Sequence, residues 1–312
     1  MLNQIRGLHH VTSMASGARA NNAFFTDTLG LRRVKKTVNF DAPDVYHLYY
    51  ADEIGTPGTV MTYFPFPQAG RGRRGAGEVA ITSFAIPEGA AEAWENRLRE
   101  RHVDGLTRDT VFGAPRVLFD GPDGERLALI EAKGDDRAPW TGGGVARDIA
   151  IRGFHSIEML LRDKAATVEL LQFMGYREAA REGAVTRYEI AGGNPAHTID
   201  IRVDPAAPRA AQGAGSVHHI AFAVENRAAQ AEVAKKLAEN GWPTTPQIDR
   251  DYFYAIYFRS PGGVLFEVAT NEPGFDRDED RAHLGEALKL PSQHEHLRAD
   301  LERRLEPLGD GA

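Results

Sequence analysis

Short runs that alternate apolar and polar residues, or turn wholly apolar, are separated along this chain by stretches whose apolar residues recur at helical spacing. The succession occurs four times. The first unit runs from GLHHVTSM through AFFTDTLGL to YHLYY and TVMTYF, and the second from VAITSFAI through AAEAWENRLRE to RVLFD and RLALIEA. The third runs from GFHSIEMLL through ATVELLQFMGY to TRYEI and HTIDIRV, and the fourth from SVHHIAFAV through AAQAEVAKKLAENGW to YAIYFRS and GVLFEVA. Each unit is predicted to be βαβββ. Gly30, Gly175 and Gly241 close three of the helical stretches, where a left-handed cap takes glycine at little cost.

Two such units can curl their strands into an incomplete barrel with helices outside, so four units predict an α+β fold of two incomplete barrels. Residues 1–135 carry units one and two, and residues 151–275 carry units three and four. Between them, 136–150 is rich in Gly, Asp and Arg with a Pro and is read as a linker. Residues 276–312 form a different tail: an acidic FDRDED stretch, then Leu297, Leu301 and Leu305 at helical spacing, which predict a terminal helix packed on a barrel. His294 and His296 in this tail are read as solvated.

Composition narrows the chemistry. A length of 312 residues suits two domains, each able to bury its own core. No apolar run approaches the roughly 18 to 20 residues a membrane helix needs, and the opening MLNQIRGLHH does not read as a secretory signal, so a cytoplasmic protein is expected. Cysteine is absent, which leaves His, Asp and Glu as metal ligands and favours metals such as iron or manganese. A net charge of -7 without a Lys/Arg-rich tract argues against a nucleic-acid partner; the RGRR at 71–74 reads as a solvated loop.

Superposing the four units sorts the histidines. Units one and four carry His-His, at His9-His10 and His218-His219. Unit three reads RGFHS against RGLHH in unit one, setting His155 opposite His9 and Ser156 opposite His10, while unit two has Ile81 at the place of His219. Neighbouring strand residues face opposite ways, so one member of each pair should face the barrel interior. The bulky Ile220, Phe222 and Val224 suit cover by a helix, which turns His219 inward, and the same register turns His10 and Thr12 inward. Glu267 stands mid-strand in the apolar run VLFEVA, where a buried carboxylate without a partner is costly and a metal would resolve the cost. Ala128 takes its place in unit two, and Tyr63 is the match in unit one. His10, His219 and Glu267 are therefore the expected metal ligands, with His9 and Thr12 steadying them. Two histidines and one carboxylate leave about three positions open, the arrangement of non-haem iron(II) oxygenases.

The motifs HHVT at 9–12, HHIAF at 218–222 and DRDYFYAIYFRSPGGVLFE at 249–267 resemble the vicinal-oxygen-chelate superfamily (glyoxalase/bleomycin-resistance fold) and, within it, the ring-cleaving dioxygenases that open hydroquinones. The resemblance covers roughly residues 5–275. It implies an iron(II) enzyme, with manganese(II) as the other candidate, that inserts both atoms of dioxygen into an aromatic diol or quinol. It further implies a metal barrel pairing units one and four, with assembly into homo-oligomers as is common in the superfamily. On this reading His218 is the general acid/base because histidine titrates near neutral pH, Arg250 holds an anionic ring oxygen, and Tyr257 hydrogen-bonds the substrate or oxygen. The rival readings are a catechol-cleaving dioxygenase, a glyoxalase-like isomerase or lyase with a fourth ligand, and a non-catalytic binding protein of the same fold.

Overall fold

The computed structural model describes residues 1–309 and realises the four units as α+β modules. Unit one supplies β1 (Leu8–Ala15), α1 (Ala18–Ala23), β2 (Arg32–Val38), β3 (Tyr46–Ala51) and β4 (Val60–Pro65). Unit two supplies β5 (Glu78–Ile86), α2 (Ala91–Glu100), β6 (Thr107–Val111), β7 (Ala114–Asp120) and β8 (Arg126–Glu131). Unit three follows with β9 (Gly153–Leu161), α3 (Ala165–Phe173), β10 (Arg177–Glu182), β11 (Val185–Glu189) and β12 (Thr198–Val203). Unit four adds β13 (Val217–Val224), α4 (Arg227–Glu239), β14 (Ile248–Asp249), β15 (Phe253–Arg259) and β16 (Leu265–Pro273). Gly30, Gly175 and Gly241 all take positive φ, at +71°, +105° and +86°, the conformation that ends a helix most cheaply with glycine.

Two curled sheets of eight strands result, in the orders β14-β15-β16-β13-β1-β4-β3-β2 and β10-β11-β12-β9-β5-β8-β7-β6. The first joins units one and four and the second joins units two and three. In each, the two opening strands pair antiparallel at the centre: β1 with β13, and β5 with β9. Each opening strand also runs parallel to the last strand of its own unit, as β1 does to β4 and β13 to β16. This places the two His-His pairs, 209 residues apart, on adjacent strands.

Residues 136–150 contain no strand or helix and pack on unit one: the Arg32 guanidinium lies 4.8 Å over the Trp140 ring, and Val145 is buried against Gly30. The expected terminal helix is α5 (Arg298–Arg304), with Leu301 and Leu305 buried. The stretch before it straps across β2, the edge of the first sheet. Lys35 of β2 is wholly buried, and its ammonium is matched by Asp278 at 2.7 Å and by Glu279, as a buried charge requires. His294 lies in a 3₁₀ turn before α5 and is not merely solvated, because its Nε2 bonds the Phe40 carbonyl at 2.8 Å. The RGRR segment likewise pairs with residues 211–214 through isolated bridges of Arg71 with Ala214 and Arg73 with Ala211 instead of standing free.

Candidate metal centre

Strict alternation would point His9 and His10 to opposite faces, yet both are buried and their rings meet edge to face at 5.1 Å. The β1/β13 register explains this. Leu8 pairs with Phe222 and His10 with Ala221, leaving His9 as an extra residue; Thr12 pairs with His219 and Ser13 with Val217, leaving His218 as the extra residue on the other strand. Each His-His pair thus straddles a β-bulge, which re-aims a side chain that pleating would turn away.

The consequence is a symmetric arrangement of hydrogen bonds. His9 Nδ1 lies 2.9 Å from His10 Nδ1, and His218 Nδ1 lies 2.8 Å from His219 Nδ1. Burial lowers the His9 pKa to about 3 and the His218 pKa to about 4, so each is a neutral imidazole able to accept the Nδ1–H of its neighbour. That fixes the tautomer of His10 and His219 with the Nε2 lone pair free. The low value for His218 corrects the premise that it titrates near neutrality: with Nδ1 accepting from His219, it begins neutral with its proton on Nε2.

The two free Nε2 atoms face each other at 3.2 Å, and Glu267 Oε2 lies 2.9 Å from His219 Nε2 and 3.4 Å from His10 Nε2. All three residues are buried, and neither Glu267 oxygen has a hydrogen-bond donor in good geometry. Burial pushes the Glu267 carboxyl up, but attraction to positive charge at the His10 and His219 nitrogens outweighs it and holds the group well below the usual range, hence ionised when a cation stands there. Three converging lone pairs around an orphaned carboxylate suit a cation. Donors at adjacent corners of an octahedral ion bound at about 2.1 Å stand about 3.0 Å apart, close to the three edges seen here. His10, His219 and Glu267 are the group of three or more such side chains able to hold a metal among the described residues.

The fourth position is Thr62, not Tyr63. Glu267 pairs with Ala221, two residues beyond His219; the residue paired two beyond His10, opposite Thr12, is Thr62. Tyr63 points away, bonding Glu125 at 3.0 Å and packing on Phe25. Thr62 Oγ1 is tied to Thr12 Oγ1 at 2.9 Å and to His47 Nε2 at 2.8 Å, and His47 Nδ1 to the Tyr49 hydroxyl at 2.8 Å. Thr12 therefore helps occupy the position of a fourth ligand. His47 was not singled out from sequence, although the alternation of YHLYY does set His47 and Tyr49 on one face.

The second sheet shows the same plan without a metal group. His155 is its bulged residue, and Ser156, Ile81 and Ala128 stand where ligands would be. Asp200 occupies the place of Glu267 and is met bidentately, at 2.9 and 2.8 Å, by Arg187, which sits where Tyr257 sits in the first sheet. A guanidinium there neutralises the carboxylate.

Beside the metal group lies a cavity of about 1150 Å³ lined by, among others, His10, His218, His219, Arg250, Tyr257 and Glu267. Tyr257 pairs with Glu267 across β15/β16 and meets the His219 ring edge to face at 5.7 Å. Burial and the Glu267 charge push its pKa well up, so the hydroxyl stays protonated and can donate. Arg250 Nε lies 3.4 Å from the Tyr257 hydroxyl, and its guanidinium is also 3.4 Å from Asp41 and stacks over Phe40. Phe253, also not foreseen, packs on the His10 ring at 4.9 Å.

Paired βαβββ units carrying a buried two-histidine, one-carboxylate group at a cavity define a metal-binding protein of the glyoxalase type. A family model for the Glyoxalase/Bleomycin resistance protein/Dioxygenase superfamily matches residues 159–268. The chain is 41% identical over 308 residues to MhqO of Bacillus subtilis (strain 168), named for ring-cleaving dioxygenase activity, with 98% of each chain covered. It is 36% identical over 312 residues to chlorohydroquinone/hydroquinone 1,2-dioxygenase of Sphingobium indicum, covering 97% of this chain and 96% of that one. A crystal structure from Bacillus subtilis subsp. subtilis str. 168, described as a dioxygenase, superposes with a TM-score of 0.94 at 41% identity and 98% coverage of both chains. Glyoxalase I of Zea mays shares the fold alone, with a TM-score of 0.63 at 10% identity, over 85% of this chain and 92% of that one. The chain belongs to the glyoxalase/dioxygenase superfamily, and its close relatives carry the names of ring-cleaving dioxygenases.

Proposed function

We propose that this protein is an iron(II)-dependent dioxygenase that opens the ring of a para-hydroquinone. The observation that supports the reading most directly is the open-faced His10, His219, Glu267 group at the edge of a cavity that also presents Arg250 and the Tyr257 hydroxyl. Iron(II) bound there would supply a redox-active centre with about three open positions for ring and dioxygen. The chain's own groups do the rest. His218, neutral and half-buried, carries its proton on Nε2 because Nδ1 accepts from His219, and donates that proton to a reacting oxygen as general acid; Tyr257 donates to an oxygen next to the metal; Arg250 provides a fixed cation for the anionic ring. A glyoxalase-like isomerase would want a second carboxylate for proton shuttling, and the position that would carry it is Thr62, locked to His47 and Thr12.

A hydroquinone offers the metal a single oxygen, so its orientation must come from the protein, whereas a catechol chelates through two. Arg250→Ala is expected to lower kcat/KM for hydroquinone more than for catechol, by about 1.5 to 3 kcal/mol for a lost charge-assisted hydrogen bond. Oxygen-uptake kinetics on both substrates measure this. A wild type that prefers catechol, or equal damage to both substrates, would end the hydroquinone assignment and leave the metal group untouched.

A further inference from the structure

The cavity is much larger than a one-ring diol needs. An apolar cavity of about 150 Å³ accommodates a benzene ring, and drug-sized ligands fill pockets of about 300 to 1,000 Å³; this one holds about 1150 Å³. Its two flanks differ in chemistry. From His219, one flank runs through Tyr257 to Arg250, Phe40 and Asp41, and is cationic and polar. The other runs from His219 to His218, whose ring centroid is 5.1 Å away, then to Phe64 at 5.9 Å from His218 and to Phe66 at 6.4 Å from Phe64.

Met14 stands beside Phe64 in the β1/β4 register, and Leu265 at the start of β16 completes that wall. Met14, Phe64, Phe66 and Leu265 are all partly accessible although they line a cavity, so they offer apolar surface that no described residue covers. None carries a charge. Apolar surface in a concavity gains from burial, and each methylene that leaves water there is worth about fourfold in binding.

We propose that the substrate is a hydroquinone bearing a bulky apolar substituent, a branched alkyl or aryl group of about four carbons or more, seated against Met14, Phe64, Phe66 and Leu265. The inference rests on the hydroquinone reading and goes beyond it by assigning the second half of the cavity. The ionised ring oxygen faces the metal and Arg250, and the substituent lies on the His218 side. Selectivity among hydroquinones then comes from the apolar wall.

Iron-loaded protein is to be assayed by oxygen uptake on hydroquinone, methylhydroquinone, tert-butylhydroquinone and phenylhydroquinone, with anaerobic equilibrium dialysis of the same four compounds. The expected result is a kcat/KM at least about tenfold higher for the tert-butyl and phenyl compounds than for hydroquinone, carried mainly by KM, and the same order in dialysis. Phe66→Glu, at a partly exposed loop position, should cut the tert-butyl to hydroquinone ratio about tenfold. Rejection of the bulky compounds, or ratios within about threefold of one in both assays, overturns the proposal even if hydroquinone itself is cleaved. Bulky compounds bound in the expected order with no ring opening of any compound would support the apolar subsite and overturn the dioxygenase reading instead.

Discussion

Glu267→Ala is expected to abolish metal binding and activity together while leaving the fold in place. Glu267 is fully buried near the start of β16, and its two oxygens have no proper donor. A carboxylate held that way is a liability to the metal-free protein and an asset once a cation is bound, so its loss takes away a ligand without leaving a neighbour's hydrogen bond unmade. His10→Ala and His219→Ala should lose the metal likewise, because each projects its free Nε2 toward the group of three, although each also leaves the hydrogen bond to His9 or His218 unmade and so costs some stability. Elemental analysis after iron(II) loading should fall from about one metal per chain to near none in each variant, with activity below detection and an unchanged far-UV circular dichroism spectrum. Metal retained in all three variants would place the ion elsewhere. His155 is a poor refuge, since it lies on the second sheet beside Ser156, and the carboxylate of that sheet, Asp200, is already held by Arg187.

Tyr257→Phe and His218→Ala should separate chemistry from metal binding. Both side chains touch the cavity, and neither offers an atom to the three-ligand group. Loss of a positioned proton-transfer group typically slows turnover about 100- to 10,000-fold, and that range is expected for kcat in each variant at saturating iron. The two differ in one respect. His218 Nδ1 orients His219 at 2.8 Å, so His218→Ala should also weaken metal affinity, by about 10- to 100-fold as for other groups that hold a ligand in place. Tyr257 faces Glu267 and bonds neither ligand histidine, so Tyr257→Phe should change affinity by less than about threefold. Metal titration followed by single-turnover kinetics distinguishes the effects. Unchanged rates in both variants, with the chemical step limiting, would make these residues structural.

Much of this site is legible in the chain because the fold is a repeat. Equivalent positions in units one and four keep histidine where units two and three have Ile81 and Ser156, and Glu267 interrupts an apolar strand. What escaped the sequence has specific causes. Period-two alternation cannot show a bulge: the pattern alone turns His9 and His218 away from the ligands, and only the β1/β13 register gives a geometry to the roles expected of them, His9 steadying a ligand and His218 moving protons. One residue of register separates Tyr63 from Thr62, and in a sheet one residue reverses the face, so only strand pairing identifies the fourth position. His47 reaches Thr62 from a strand that pairs beside β4, a contact with no local signal. The tail shows its leucines at helical spacing, but its acidic residues become intelligible only beside Lys35, which lies 243 residues earlier in the chain as Asp278 meets it.

The central claim is that dioxygen itself is the oxidant and that both of its atoms enter the ring-opened product. Anaerobic iron(II) loading, followed by reaction of a hydroquinone with ¹⁸O₂ under quantified oxygen uptake and mass analysis of the product, tests this most directly. The account predicts one dioxygen consumed per ring opened and two labelled oxygen atoms in the product, with the second label partly lost to water if a late hydrolytic step exchanges it. Turnover without oxygen uptake, or a product whose ring is intact, would contradict it and point to an isomerase or lyase built on the same fold.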